Sequence, residues 1–225
     1  MDILTFDELP QGGFAGLIER QFVTDRRVFK NQKNKHVFDG IGNFVYLADA
    51  NFLPKGETGM HGHKEVDVIS VMVEGEVSHA GSLEHGKGLV AGSVQVQRAG
   101  AQGFKHNEIN PNSQPNHMIQ LWVMPDELGE PAGYKTYQPA DGKVMHIYGG
   151  DKNQSDTFYS KTAIDVGQLK EGQSTLKSGP VMAFISKGSG IINGKKIYAR
   201  TLVKSNEPIL FEALEQSQII FIYLK

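Results

Sequence analysis

The chain has 225 residues, with 23 Lys and Arg against 25 Asp and Glu, a formal charge of −2, and no cysteine. The missing thiols exclude disulfides, cysteine-ligated zinc or iron–sulfur sites and thiol catalysis, and the near-zero charge removes any general attraction to nucleic acid. The length allows one large domain or two small ones, and the longest strongly apolar run, Ile219 to Leu224, is far short of a membrane span.

The start, MDILTFDELPQGG, carries acids early and no apolar stretch, unlike a secretory signal, so a soluble cytoplasmic protein is expected. Arg26, Arg27, Lys30, Lys33 and Lys35 follow as a basic cluster. It reads first as a solvated loop and second as a surface for an acidic partner. Downstream, β-branched runs recur at Val66–Val73, Leu89–Val96, Met118–Val123, Val181–Ile185 and Ile219–Tyr223, each bounded by Gly, Pro, Asn or Asp. With 26 glycines spread along the chain, this is the pattern of short strands joined by turns, and it predicts an all-β protein with one or two short helices.

Two stretches resemble each other. A β-run ends at Glu74-Gly75 and another at Lys187-Gly188, and each is followed by a second run, a Gly-containing turn and a third run. The spacing predicts two copies of one β-module, residues 1–138 and 139–225, joined through the Pro-, Gly- and charge-rich segment Pro125–Gly142. Short strands at regular spacing predict a sandwich or barrel, whose interior can hold a ligand or metal.

All eight histidines lie at or before His146, at positions 36, 61, 63, 79, 85, 106, 117 and 146. Two pairs carry the chemistry: His61-Gly62-His63, expected to open the strand running to Val73, and His106-Asn107-Glu108, after the turn Gly100–Gly103. On a strand, residues i and i+2 face the same side, so each pair is a two-toothed clamp. Two such clamps on neighbouring strands bring three imidazoles and one carboxylate together. That donor set suits iron, nickel, copper, zinc or manganese without choosing among them. Ligating imidazoles must be neutral, so metal binding is expected to weaken on acidification through about pH 6.5. His36 and His85 read as solvated residues.

The stretch from Gly59 to Glu108, followed by Ile119–Val123, resembles the pirin family of the cupin superfamily. His61, His63 and Asp67, ending at Gly75, match the first cupin motif, and Gly92, Ala99-Gly100, His106 and Glu108 match the second; Gln120-Leu121-Trp122 matches a family strand. The resemblance implies two cupin barrels of double-stranded β-helix (jelly-roll) type. The first would hold one divalent transition metal through His61, His63, His106 and Glu108, and the second would have no metal ligands. Iron is taken first, with nickel, manganese, copper, zinc and cobalt as alternatives. Activity like that of quercetin 2,3-dioxygenase is also implied, on a small aromatic flavonol or an enediol, with Glu108 as the catalytic base. The alternative is a metal-binding regulatory module with a protein partner. No direct contact with nucleic acid or membrane is expected.

The chain departs from the family pattern at Gly62, where the family has Pro, and at Asp67, where it has Glu. It also lacks the Phe-Ser-Phe stretch, Arg26–Phe29 standing in that region, and its turn before His106 is one residue longer. His79 is expected to support the site rather than ligate. Asp67 is expected either to hydrogen-bond a ligating histidine or to lie solvated at the barrel mouth. Gln120 is expected to face the cavity, and Trp122, Phe104, Phe44 and Phe52 to line an apolar pocket or pack as plain core.

Overall fold

Gly75 and Gly188 both take positive φ, 75° and 80°, at the tips of two hairpins. A side chain at either would collide: an added Cβ would meet Asn116 Cβ at 2.8 Å in the first, and Ser217 Oγ at 2.4 Å in the second. Glycine is therefore required for both turns. In this computed structural model, which describes residues 1–30, 36–83 and 88–225, the first hairpin joins strands Asp67–Glu74 and Glu76–Gly81. The second joins Val181–Lys187 and Ser189–Ile192. The chain is all-β; among the described residues the one helical element is the 3-10 turn Phe6–Glu8. Among the described residues no helix is long and apolar enough to cross a membrane.

The two hairpins sit in sheets of matching strand order. In one sheet the order is Gly133–Tyr137, Val94–Arg98, Asp67–Glu74, His117–Val123, Phe44–Phe52, Leu17–Thr24, Gly12–Phe14. In another it is Asp2–Thr5, Thr201–Ser205, Val181–Lys187, Ser217–Leu224, Ser160–Leu169, Lys143–Gly150. The two four-stranded sheets agree in the same way: His61–His63, Phe104–Ile109, Glu76–Gly81, Gly88–Val90 against Ser174–Lys177, Ile209–Ala213, Ser189–Ile192, Lys195–Tyr198. Each large sheet and its small partner make one two-sheet barrel.

The chain divides into two compact units. One comprises Leu9–Asp39 and Val45–Gln138, the other Met1–Glu8, Gly40–Phe44 and Pro139–Lys225. The first residues join the latter through pairing, Asp2–Thr5 lying antiparallel to Thr201–Lys204.

Three local expectations are corrected. The strand expected from His61 to Val73 is two strands in different sheets, His61–His63 and Asp67–Glu74, because Glu65 takes φ 51° and turns the chain. Leu89–Val96 likewise breaks at Gly92, φ 83°, into Gly88–Val90 and Val94–Arg98. The connecting segment Pro125–Gly142 contains the strand Gly133–Tyr137, an edge strand paired along Val94–Arg98.

Matching registers show what each interior contains. Ala183 pairs with Val203 and Phe221, and Ile192 with Phe211; these residues and Ile209 form one buried apolar cluster. In the other unit Ser70 pairs with Gln95 and Gln120, and His79 with Glu108, while His106 stands where Ile209 does. Where one unit packs hydrocarbon, the other buries amides, imidazoles and a carboxylate. Buried polar groups cost free energy unless something satisfies them, so this interior is the place to look for function.

Candidate metal centre

The strand Phe104–Ile109 is flanked on one side by His61–His63 and on the other by Glu76–Gly81. His106 pairs with His61, Phe104 with His63 and Glu108 with His79. Alternation turns 104, 106 and 108 to one face, and 61 and 63 to the same side. His61 Nε2 and His106 Nε2 lie 3.0 Å apart, and one ring nitrogen from each of His61, His63 and His106 falls within 4.8 Å of the others. A second triple within the same limit shares His106 and adds His79 and Glu108.

Hydrogen bonds set the ring orientations. His61 Nδ1 is 2.9 Å from the Gly59 carbonyl, to which it donates, and its Nε2 is the nitrogen turned toward His106. His63 Nε2 and His106 Nδ1 are buried without a hydrogen-bond partner. Burial, reinforced by the neighbouring His61, lowers His63 to about 4. Burial lowers His106 to about 3 against the opposing Glu108 carboxylate. Both rings are neutral at pH 7, and the proton competition expected near pH 6.5 is moved lower for these two imidazoles.

Glu108 is buried at 3% exposure. Its backbone is held by Thr58, with Glu108 N–H donating to Thr58 Oγ1 at 3.1 Å and Thr58 N–H to Glu108 O at 3.0 Å. Its Oε1 lies 3.2 Å from both His79 Nε2 and Ser70 Oγ. Burial alone would raise this carboxyl. The His79 hydrogen bond and the imidazole cluster outweigh it and bring Glu108 to about 2. His79 thus stands behind Glu108.

A cavity opens beside these groups, lined by His61, His63, Glu108, Gln120, Trp122 and, unforeseen from sequence, Glu19 and Tyr46. Tyr46 Oη donates to Glu19 Oε2 at 2.8 Å, and Gln21 Nε2 donates to Glu19 Oε1 at 2.8 Å. Tyr46 also stacks on Trp122, ring centroids 4.6 Å apart. One signal for Glu19 is present in the sequence: it shares strand parity with the buried Leu17, so a charge stands where an apolar side chain is expected.

Other expected residues fall elsewhere. Asp67 is neither solvated nor on the histidine strand; it is buried, with Oδ2 accepting from Arg98 Nε and Nη2 at 3.0 and 2.9 Å. Phe104 packs against His63 and His106, Phe52 lies in a separate apolar cluster, and Phe44 is fully buried core. In the basic cluster, Arg26 pairs with Asp39 and Arg27 with Asp25, both at 2.8 Å. Lys33, Lys35 and His85 lie outside the described residues, and His36 is exposed. His117 and His146 bond Asp49 and Asp165.

The Pirin family model matches residues 22–123. A Pseudomonas aeruginosa protein named "Putative quercetin 2,3-dioxygenase" is 31% identical over 174 residues, 72% of this chain and 75% of that one. A protein of Escherichia coli strain K12 named quercetin 2,3-dioxygenase is 30% identical over 149 residues, 61% of this chain and 62% of that one. Among solved structures, the bacterial pirin YhhW of Escherichia coli in complex with nickel(II) superposes with a TM-score of 0.83 at 22% identity, covering 99% of this chain and 98% of that one. With such identity across most of a relative's length, and this fold along the whole chain, the protein is a member of the pirin family.

Proposed function

We propose that the chain is a metal-dependent dioxygenase of flavonol or enediol compounds, with one divalent transition metal held by His61, His63, His106 and Glu108. The observation that carries this is the meeting of His61 Nε2 and His106 Nε2 at 3.0 Å beside the buried, unpartnered His63 Nε2. Two imidazole nitrogens at right angles on one ion, each about 2.1 Å from it, would stand about 3.0 Å apart, so the spacing suits a shared cation. The donor set also fits: neutral imidazoles and an ionised carboxylate are the forms that ligate.

A bound metal would supply Lewis acidity and a template for the substrate hydroxyl. The protein's residues do the rest. Glu108, ionised at neutral pH, accepts the hydroxyl proton, leaving the electron-rich enolate that dioxygen attacks and cleaves. His79 and Ser70 orient that carboxylate. Trp122 offers a flat apolar wall to an aromatic ring and helps exclude water. Iron is the first metal proposed, and nickel, the ion in the Escherichia coli pirin structure, is next. A cysteine-free chain has no need of an oxidising compartment, and the cytoplasm is the proposed location.

The test is oxygen uptake with quercetin by protein stripped of metal and reloaded in turn with iron, nickel, manganese, copper, zinc and cobalt. Turnover restored by at least one metal, and lost in His106→Ala, is expected. Full occupancy without turnover for every metal ends the dioxygenase reading.

A further inference from the structure

Glu19 is a buried carboxylate, 7% exposed, in the wall of the cavity that His61, His63 and Glu108 also line. The proposed chemistry gives it no task. The strand Leu17–Thr24 runs beside Phe44–Phe52, and Glu19 pairs with Ala50, whose small side chain leaves the carboxylate room at the cavity surface. A buried charge of this kind is costly unless its oxygens are satisfied. Gln21 supplies one donor to Oε1 and Tyr46 one to Oε2, both at 2.8 Å. A carboxylate has about four acceptor positions, so the two donors leave capacity facing the cavity.

Tyr46 fixes the direction of this arrangement. Burial and the adjacent Glu19 charge push its phenol well above the usual range, so the hydroxyl keeps its proton and stays a donor. Stacking between Phe29 and Trp122, with centroids at 5.6 and 4.6 Å, holds the ring still. Two further polar groups belong to this wall. Gln120 lines the cavity, its Oε1 accepting from Ser70 Oγ at 3.3 Å. Trp122 Nε1 is buried without a hydrogen-bond partner.

Resting on the flavonol reading, we infer that Glu19, positioned by Tyr46 and Gln21, is a specificity-determining residue that accepts a hydrogen bond from a second hydroxyl of the substrate, away from the hydroxyl beside Glu108. The substrate class is thereby narrowed to planar aromatics with hydroxyls at two separated positions. A site built to bond a hydroxyl rejects the analogue lacking it, because its own polar group is then left unpaired. A charged acceptor makes the difference large.

The test uses protein carrying one metal ion per chain and the quenching of Trp122, the chain's one tryptophan. Two probes are titrated: quercetin, and 3-hydroxyflavone, which keeps the 3-hydroxyl and lacks the others. In the unsubstituted protein quercetin should bind at least about 10-fold more tightly. In Glu19→Gln and Glu19→Met that ratio should fall toward 1 while metal content stays at one per chain. Tyr46→Phe should lower the ratio part of the way, through loss of positioning. An unchanged ratio in both Glu19 variants, with metal retained, overturns this inference and leaves the flavonol reading standing. Failure of the unsubstituted, fully loaded protein to bind either compound overturns both.

Discussion

Phe211 holds in one unit the pairing position that Glu108 holds in the other: Phe211 lies opposite Ile192 and Glu108 opposite His79, each partner four residues beyond its hairpin glycine. The same backbone therefore carries a hydrophobic core in one case and a donor set in the other. Phe211→Ala should cost about 3–5 kcal/mol of stability, the usual price of emptying a phenylalanine site, and leave metal content unchanged. Glu108→Ala should deplete metal and leave the melting temperature of stripped protein nearly unmoved. Calorimetry with elemental analysis checks both, and metal loss in the Phe211 variant would contradict the separation of roles.

Single alanine variants of His61, His63 and His106 should each reduce bound metal well below one per chain after purification without chelator. His79→Ala removes the group 3.2 Å behind Glu108, so it should keep the site and weaken metal affinity about 10- to 100-fold. Competitive chelator titration measures this. Full metal in both His61→Ala and His106→Ala would place the ion elsewhere.

The Asp165 carboxyl is buried, which alone would raise it, but His146 and Lys177 hydrogen-bond it and hold it below its ordinary value. Tyr223 Oη adds contacts of 3.2 Å to both oxygens. A depressed folded value means that the unfolded chain takes up the proton first, so this stabilisation is full above about pH 4 and is lost as pH falls through the lower folded value. Asp165→Asn should cost about 3 kcal/mol at pH 7 and flatten the acid limb of the stability curve. The paired change Asp165→Leu with Lys177→Met should cost less than either alone, since no charge is then stranded. Denaturant melts from pH 3 to 7 decide it, and an unaltered acid limb in Asp165→Asn would rule the pair out as its source.

Gly62, between the two clamp histidines, has no positive φ, and an added Cβ would meet nothing nearer than 3.5 Å. Gly62→Ala should therefore stabilise by about 0.4–1 kcal/mol by stiffening the unfolded chain, with metal content intact. A lower melting temperature would mean that this backbone uses a freedom only glycine has.

The clamps were legible because strand parity is local: His61 with His63, and His106 with Glu108, need only alternate residues on extended chain. The hairpin glycines were legible for a similar reason, since Gly75 and Gly188 each follow a β-run at the same point of the repeat. The place of Asp67 is not legible, because parity carries from His63 only along unbroken strand and a left-handed Glu65 gives no warning in sequence. Once the chain turns there, Asp67 belongs to another sheet and meets Arg98, 31 residues on. The strand Gly133–Tyr137 was hidden by its Pro- and Gly-rich flanks, because its partner Val94–Arg98 lies far back in the chain. Glu19 is only half legible: its parity with Leu17 marks a charge in an apolar row, but the cavity it faces is built by strands far from it in sequence.

The edge strand Asp2–Thr5 has consequences for how the protein is made and cut. Leu4 is synthesised almost two hundred residues before its partner Leu202, and ribosomal emergence strands it until the last part of the chain appears. A gene fragment beginning at Pro139 would encode a sheet with Thr201–Ser205 bared along one side, a ready template for intermolecular pairing. Such a fragment should precipitate, and a synthetic peptide spanning the first eight residues, supplied during refolding, should keep it in solution.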